Sequence, residues 1–386
     1  MKTKSLRIFK IAYRLVLITT LFLFYNCSQE DDELVPEDLI TEEITTNDLD
    51  ISSKSIPRKG KAWTLYDPRN SIYSSLYQYH PEGSAIRITR ISRGYYAITY
   101  PGLKYLDNGV HHVVGYKGNH TVQLSHWRSN GNDLIAYVLC YTPSGMAVDG
   151  GFIAFVYNRL DSNIANAAYL ETIGHFGTTI DTRRSYNSKG RINTITRLAQ
   201  GVYLVKFPGI IRVGRKTGHI QVTAKGNIHY GSRRFQINWI NQGSLGTDLI
   251  LRAYDATGIL RNTDFTISIM DKHMLYEFNK AAYVNFRENN SQSTNNQSNF
   301  PTQEHITVVN STSRSFDVQI PSNGQSAPII PIALASSFGN DGSYVSIENV
   351  RTYPRGATVN VKCYNPDGSL KTTKPKFNVL YYSEIR

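Results

Sequence analysis

Apolar residues alternate with polar or small ones in three widely separated stretches of the chain. Tyr96, Ile98 and Tyr100 alternate with Ala97 and Thr99. Tyr203, Val205 and Phe207 do the same within Val202–Ile210, and Phe316, Val318 and Ile320 within Ser315–Asn323. A period of two puts every second side chain on one face, so each stretch predicts a strand with one buried face. Gly94 and Gly201 open the first two strands with a turn. Pro101, Pro208 and Pro321 end the three strands, because proline cannot donate to a ladder.

These strands belong to a longer repeat. "IRITRISRGYYAITYPGL" (Ile86–Leu103) lines up with "NTITRLAQGVYLVKFPGI" (Asn193–Ile210) and with the degenerate "ITVVNSTSRSFDVQIPSN" (Ile306–Asn323). "VQLSHW", ending at Trp127, matches "RFQINW", ending at Trp239. Each repeat closes in a hairpin with the turn "CYTPSG", "AYDATG" or "CYNPDG", rich in the residues that turns demand. The period, 107 to 113 residues, exceeds that of solenoids. With about seven short strands per repeat and no convincing amphipathic helix, the pattern predicts an all-β protein. Its units are three tandem antiparallel β-sandwich-like (or small barrel) repeat domains at 63–159, 160–272 and 273–386. "ENNSQSTNNQSNF" (Glu288–Phe300) reads as an exposed loop inserted in the third.

The N-terminus changes the picture. Lys2, Lys4, Arg7, Lys10 and Arg14 precede the apolar run Leu15–Tyr25, too short to span a bilayer, which takes roughly 20 residues. Residues 1–26 therefore read as an export signal. Cys27 follows directly and resembles the lipidated cysteine of bacterial lipoproteins, although Asn26 stands where Gly, Ala or Ser is usual. Residues 27–62 then read as a solvated tether: Ser28–Asp50 holds ten acids and no Lys or Arg. That acidic start resembles the surface-export signal of Bacteroidetes lipoproteins. The expected location is the outer membrane, lipid-anchored and facing outward.

Beyond the tether the charge reverses. Residues 51–386 carry 37 basic against 20 acidic residues, a net +17. Such a body attracts polyanions, and salt weakens the attraction. Cys140 and Cys363 fall at equivalent positions of different repeats and read as buried small apolar residues.

The repeat resembles tandem β repeats of secreted bacterial proteins of uncharacterised function. The matching elements are "SYNSKG" (Ser185–Gly190), the core strands above, Trp127 and Trp239, and the hairpins. The resemblance spans residues 63–386 and is strongest in the second repeat. It implies a disulfide from a cysteine just before the Trp to the hairpin cysteine. Val122, or the Arg234–Phe235 region, fills that place here, so the bond is lost. The resemblance implies no established activity.

Candidate chemistry is sparse. "GIIRVGRKTG" (Gly209–Gly218) nearly forms a phosphate loop, but Arg215 interrupts it and the strand "HIQVTA" follows where a helix is needed. His111, His112, His120 and His126 cluster; His219 matches only the first, and they read as surface histidines on strands rather than a metal site. Asp133 recurs as Asp248, each before "LI", and reads as a turn residue. Trp127 and Trp239 read as core. Neither a Gly-x-Ser-x-Gly elbow nor a His-Glu-x-x-His motif occurs.

Binding chemistry is richer. The 26 tyrosines are interspersed with Lys and Arg, offering rings for sugar stacking and cations for sulfate, carboxylate or phosphate. Candidates are Arg90 and Arg197 at strand ends, Lys117 and Lys225 at a hairpin, and Arg212, Arg215 and Lys216. The expectation is a non-enzymatic surface lipoprotein that binds an extracellular polymer, an anionic glycan or a surface protein. It needs no cofactor and no specific nucleic-acid recognition. The alternatives are a carbohydrate-active hydrolase, which needs two acids in one cleft, and a structural spacer.

Overall fold

The computed structural model describes residues 60–69, 78–158, 166–210, 219–243, 245–270, 280–287, 297–298, 307–312, 315–321, 329–353, 356–371 and 375–385. All fall within one compact unit, Pro57–Arg386. The signal, Cys27, the acidic tether, Arg212, Arg215 and Lys216 lie outside the described residues, as does all of Glu288–Phe300 except Gln297–Ser298.

The chain is all-β, with three curled sheets. The first repeat supplies β1 (Lys61–Tyr66), β2 (Gln78–Tyr79), β3 (Arg87–Ser92), β4 (Tyr95–Tyr100), β5 (Val110–Tyr116), β6 (Thr121–Asn130), β7 (Asp133–Tyr141) and β8 (Gly151–Tyr157). The second supplies β9 (Ala167–Ile173), β10 (Thr179–Ile180), β11 (Tyr186–Asn187), β12 (Thr194–Ala199), β13 (Val202–Pro208), β14 (His219–Lys225), β15 (Arg233–Gly243), β16 (Gly246–Asp255) and β17 (Asp264–Met270). The third supplies β18 (Lys280–Arg287), β19 (Gln297–Ser298), β20 (Thr307–Thr312), β21 (Ser315–Pro321), β22 (Ile329–Phe338), β23 (Tyr344–Tyr353), β24 (Gly356–Tyr364) and β25 (Lys376–Ile385).

The predicted core strands are β4, β13 and β21, and their inward positions are buried. Tyr96, Ile98, Tyr100, Tyr203, Val205 and Phe207 are fully enclosed, and Phe316, Val318 and Ile320 nearly so. Each such side chain contributes about 1.5–3 kcal/mol by leaving water. Gly94 and Gly201 sit at φ 68° and 65°. A Cβ on Gly94 would fall 2.6 Å from the Cys140 carbonyl, and one on Gly201 2.7 Å from the Arg261 nitrogen. Only glycine fits either turn.

Sheet and repeat do not coincide. Each sheet joins the four-stranded half of one repeat to the outer strands of the next: β3-β4-β7-β6 meet β14-β17-β9-β10, and β12-β13-β16-β15 meet β22-β25-β18-β19. In the third sheet, β20-β21-β24-β23 meet β5-β8-β1-β2, so the last repeat pairs with the first and the ring closes. The junction is a short parallel contact in each case: Lys225 with Leu124, Ile237 with Phe338, and Ile347 with Tyr116. The hairpins make the crossing. Tyr141 bridges Ala147, Tyr254 bridges Leu260 and Tyr364 bridges Leu370, after which each chain enters the neighbouring sheet. The three turns also meet one another. A Cβ on Gly145 would lie 2.9 Å from Ala256 and one on Gly258 3.2 Å from Pro366, while one on Gly368 would strike Pro143.

A polar side chain fastens each junction. Gln123 accepts from Arg233 N (2.7 Å) and donates to Gly231 O (3.3 Å). At the equivalent place Gln236 accepts from Gly342 N (2.7 Å) and donates to Asp341 and Ser343 (2.9 and 2.8 Å). The third repeat has Ser346, which donates to Gly115 O (3.1 Å).

Candidate functional site

The structure disperses the predicted cations. Arg90 forms a bidentate pair with Asp149 (2.9 and 2.8 Å), whose carboxylate also accepts from Gly94 N and Tyr96 Oη. Those contacts, Arg90 foremost, hold the Asp149 carboxyl below the usual carboxylate range. Arg197 is exposed at the matching place in the second repeat. There the partner position is Asn262, which accepts from Gly201 N (2.9 Å). Lys117 pairs with Asp67 (2.9 Å) and Lys225 with Glu171 (2.6 Å).

Register corrects three equivalences drawn from letters alone. The N–H groups of Lys117, Gly226 and Gly339 donate to Ile347, Leu124 and Ile237, so Lys117 matches Gly226 and not Lys225. His219 pairs with Met270 and Val110 with Tyr157, so His219 matches Val110 and not His111. Asp248 pairs with Lys206 and Ile135 with Thr99, which sets Asp248 opposite Ile135 rather than Asp133.

Nor is the histidine cluster a surface feature. His111 and His112 are fully buried and His120 nearly so. His111 Nε2 meets Tyr100 Oη (2.9 Å), His112 Nε2 meets Ser268 Oγ (2.8 Å), and His120 Nε2 meets Gly151 O (2.7 Å). Both faces of the inner strand β5 are covered, because sheets from two repeats pack on it. His126 alone is exposed, stacked on Tyr137 at 4.3 Å. Cys140 and Cys363 are buried. Trp127 is 2 % exposed; nothing is assigned to the Trp239 side chain, which lies outside the described residues.

One charged constellation does converge, at the seam between the first two repeats. Glu171, on β9, is fully buried. Its carboxylate accepts from Trp127 Nε1 (2.5 Å), Arg184 Nη1 (2.9 Å) and Lys225 Nζ (2.6 Å). Arg184 sits in the short 3-10 turn Thr182–Arg184, whose N-cap Asp181 accepts from Arg183 N. Its guanidinium also donates to Asp107 Oδ1 (2.6 Å), Asp107 O (3.0 Å) and Trp127 O (2.7 Å), and lies 4.1 Å over the Trp127 ring. A lone acid in the apolar strand "AAYLETI" is the sequence signal for this network: a buried carboxylate needs a cation. Its partners lie 13, 44 and 54 positions away and leave no local pattern.

Above this network lies a groove of about 620 Å3. Glu82, Lys104, Tyr105, Asn108, Asn132 and Arg183 line it, with Asp107 and Ser129. Its loop is pinned from below. Leu103 is fully buried, Gly102 N donates to Asp133 (2.9 Å) and Lys104 N to Asn132 O (3.0 Å). Asp107 Oδ2 accepts from Ser129 N and Oγ (3.3 and 3.0 Å), so this carboxylate is fixed by partners on both oxygens. The wall thus offers exposed cations, amides and hydroxyls on a rigid base. No family model, curated protein or solved structure matches the chain.

Proposed function

We propose that this is a non-enzymatic, lipid-anchored protein of the outer-membrane surface, whose β body binds an extracellular polymer, an anionic glycan, in the groove between the first and second repeats. The lining of that groove carries the reading. Lys104 and Arg183 suit carboxylate or sulfate groups, Asn108, Asn132 and Ser129 suit hydroxyls, and Tyr105 offers a ring. The net +17 of residues 51–386 draws a polyanion toward it.

Binding of the purified chain to a panel of acidic and neutral polysaccharides, at low and physiological salt, tests the reading. A specific site binds one glycan at the higher salt and loses it in Lys104→Ala with Arg183→Ala. Weak binding to every polyanion, abolished by salt and untouched by those substitutions, sinks it and favours a spacer. A hydrolase is the second reading, because Glu82 and Asp107 line the same groove. Release of reducing ends from the bound glycan, lost in Glu82→Gln, would establish it.

A further inference from the structure

Three equivalent hairpin junctions, β5–β6, β14–β15 and β22–β23, surround a second, small cavity of about 60 Å3. Position by position, Thr121, Arg234 and Tyr344 are equivalent, pairing with Tyr141, Tyr254 and Tyr364 on the neighbouring strands. Those just before them are His120, Arg233 and Ser343. All but Ser343 line the cavity.

The framework does not call for a cation here, since threonine and tyrosine serve at the two positions equivalent to Arg234. Yet Arg234 is 5 % exposed. Its Nη2 donates to Ala256 O (3.0 Å) and Pro366 O (3.2 Å), and its face lies 5.1 Å from the Tyr344 ring. Nε and Nη1 have no acceptor, and Arg233 Nε has none either. Among the described residues no carboxylate pairs with either guanidinium: Asp255 goes to Arg261 and Asp341 to Lys371. Arginine keeps its proton in proteins, so the charge cannot be discharged. A buried charge beside a half-buried one, both with idle donors, is costly unless countered. The cavity beside them is too small for a sugar chain.

We propose that this cavity is the seat of a small oxyanion, sulfate or phosphate, held by Arg234 with Arg233. Guanidinium Nε and Nη donors match the geometry of oxyanion oxygens. The anion would neutralise the charge where the three repeats close on one another and so stabilise the ring by binding only the folded chain. This inference does not depend on the glycan reading.

Thermal melting of the full chain in sodium sulfate, sodium phosphate and sodium chloride at matched ionic strength tests it. The expected result is a melting temperature that rises and saturates with sulfate or phosphate beyond chloride. The saturable part disappears in Arg234→Met and persists in the distant Arg90→Gln. A rise that never saturates, or is equal in Arg234→Met, is general salt stabilisation and overturns the proposal; so does an equal rise with chloride. If Arg234→Met does not fold, wild-type crystals grown with selenate decide. Anomalous density beside Arg234 Nε and Nη1 supports the seat, and a cavity without it refutes it.

Discussion

Glu171 in the second repeat and Leu65 in the first hold the same place, each opposite the equivalent residue of the next strand, Thr266 or Ile153. Around Leu65 the seam is apolar: Trp63, Ile153 and Phe155 pack with it in one core cluster. Around Glu171 the same backbone has gathered Trp127, Arg184 and Lys225. The difference shows what the closed ring prescribes and what it leaves open. Strand pairing and inward positions are common to the repeats, whereas the chemistry of a seam can switch from oily to ionic if every partner switches together. A leucine needs no particular neighbours. A buried carboxylate needs all of its donors, and so fixes residues in both repeats.

The strongest test is to make the second seam imitate the first. Glu171→Leu strands Lys225 and leaves Arg184 only Asp107 as a counter-charge, and breaking a buried ion network this way costs about 3–5 kcal/mol. Urea unfolding should show that loss. Adding Arg184→Met and Lys225→Met to the same chain should recover part of it, because no buried cation is left unpaired and only the part-exposed Asp107 loses its partner. If the triple variant is no better than the single one, the network does more than satisfy Glu171.

Histidine gives the next largest effect and a pH dependence. His219 is fully buried, and burial pushes its pKa down to about 3. The equivalent residues are Val110 and Ile332, both apolar and buried. Between pH 6.5 and 3 the unfolded imidazole takes up a proton that the folded one refuses. Stability is therefore full above pH 6.5 and falls with acidification, by about 1.4 kcal/mol per pH unit for each such group. His111, also held near 3 by burial, and His112, held well below its usual value, add to the slope. His219→Val should flatten the curve and gain about 2 kcal/mol at pH 5. A wild-type melting temperature level from pH 7 to 4.5 would contradict the argument.

The junction side chains sharpen the comparison further. Gln236 makes three hydrogen bonds to the loop of the next repeat, and Ser346 makes one at the matching place. Gln236→Ala should cost about 1–3 kcal/mol by leaving buried groups unpaired, and Ser346→Ala about 1 kcal/mol. Equal losses in chemical denaturation would mean that the loops, not the side chains, set the junction.

Local features of this fold were legible in the chain. The alternation in "YYAITYPGL" announces β4, Gly94 announces its turn, and "CYTPSG" announces the hairpin. The exchange of strands between repeats was not legible. It rests on parallel contacts a residue or two long between segments about 100 or more positions apart, which carry no periodicity of their own. The same gap misled the reading of Lys117 and Lys225. Both precede a glycine in the string, but the ladder shifts one against the other, and each ends on a different carboxylate. The groove was hidden for a related reason: Arg183 reaches it only because the 3-10 turn that carries Arg184 is anchored on Asp107 of another repeat.

The smallest effect separates the two arginines that the repeat makes look alike. Arg90 grips Asp149, which in turn holds the turn at Gly94 and the Tyr96 hydroxyl, so Arg90→Ala loosens a cluster of four groups at the protein surface. Both side chains of the pair reach water, where such bonds are weak and fade with salt. A slight drop in melting temperature, vanishing in high salt, is the expected result. Arg197→Ala should change nothing measurable, since Asn262 caps Gly201 without it. Asn262→Asp then supplies the missing carboxylate and should give Arg197 the role Arg90 plays. Melting of Asn262→Asp with and without Arg197→Ala reads this directly: a coupling that appears at low salt and disappears at high salt makes the ion pair, not the backbone, the difference between the two turns.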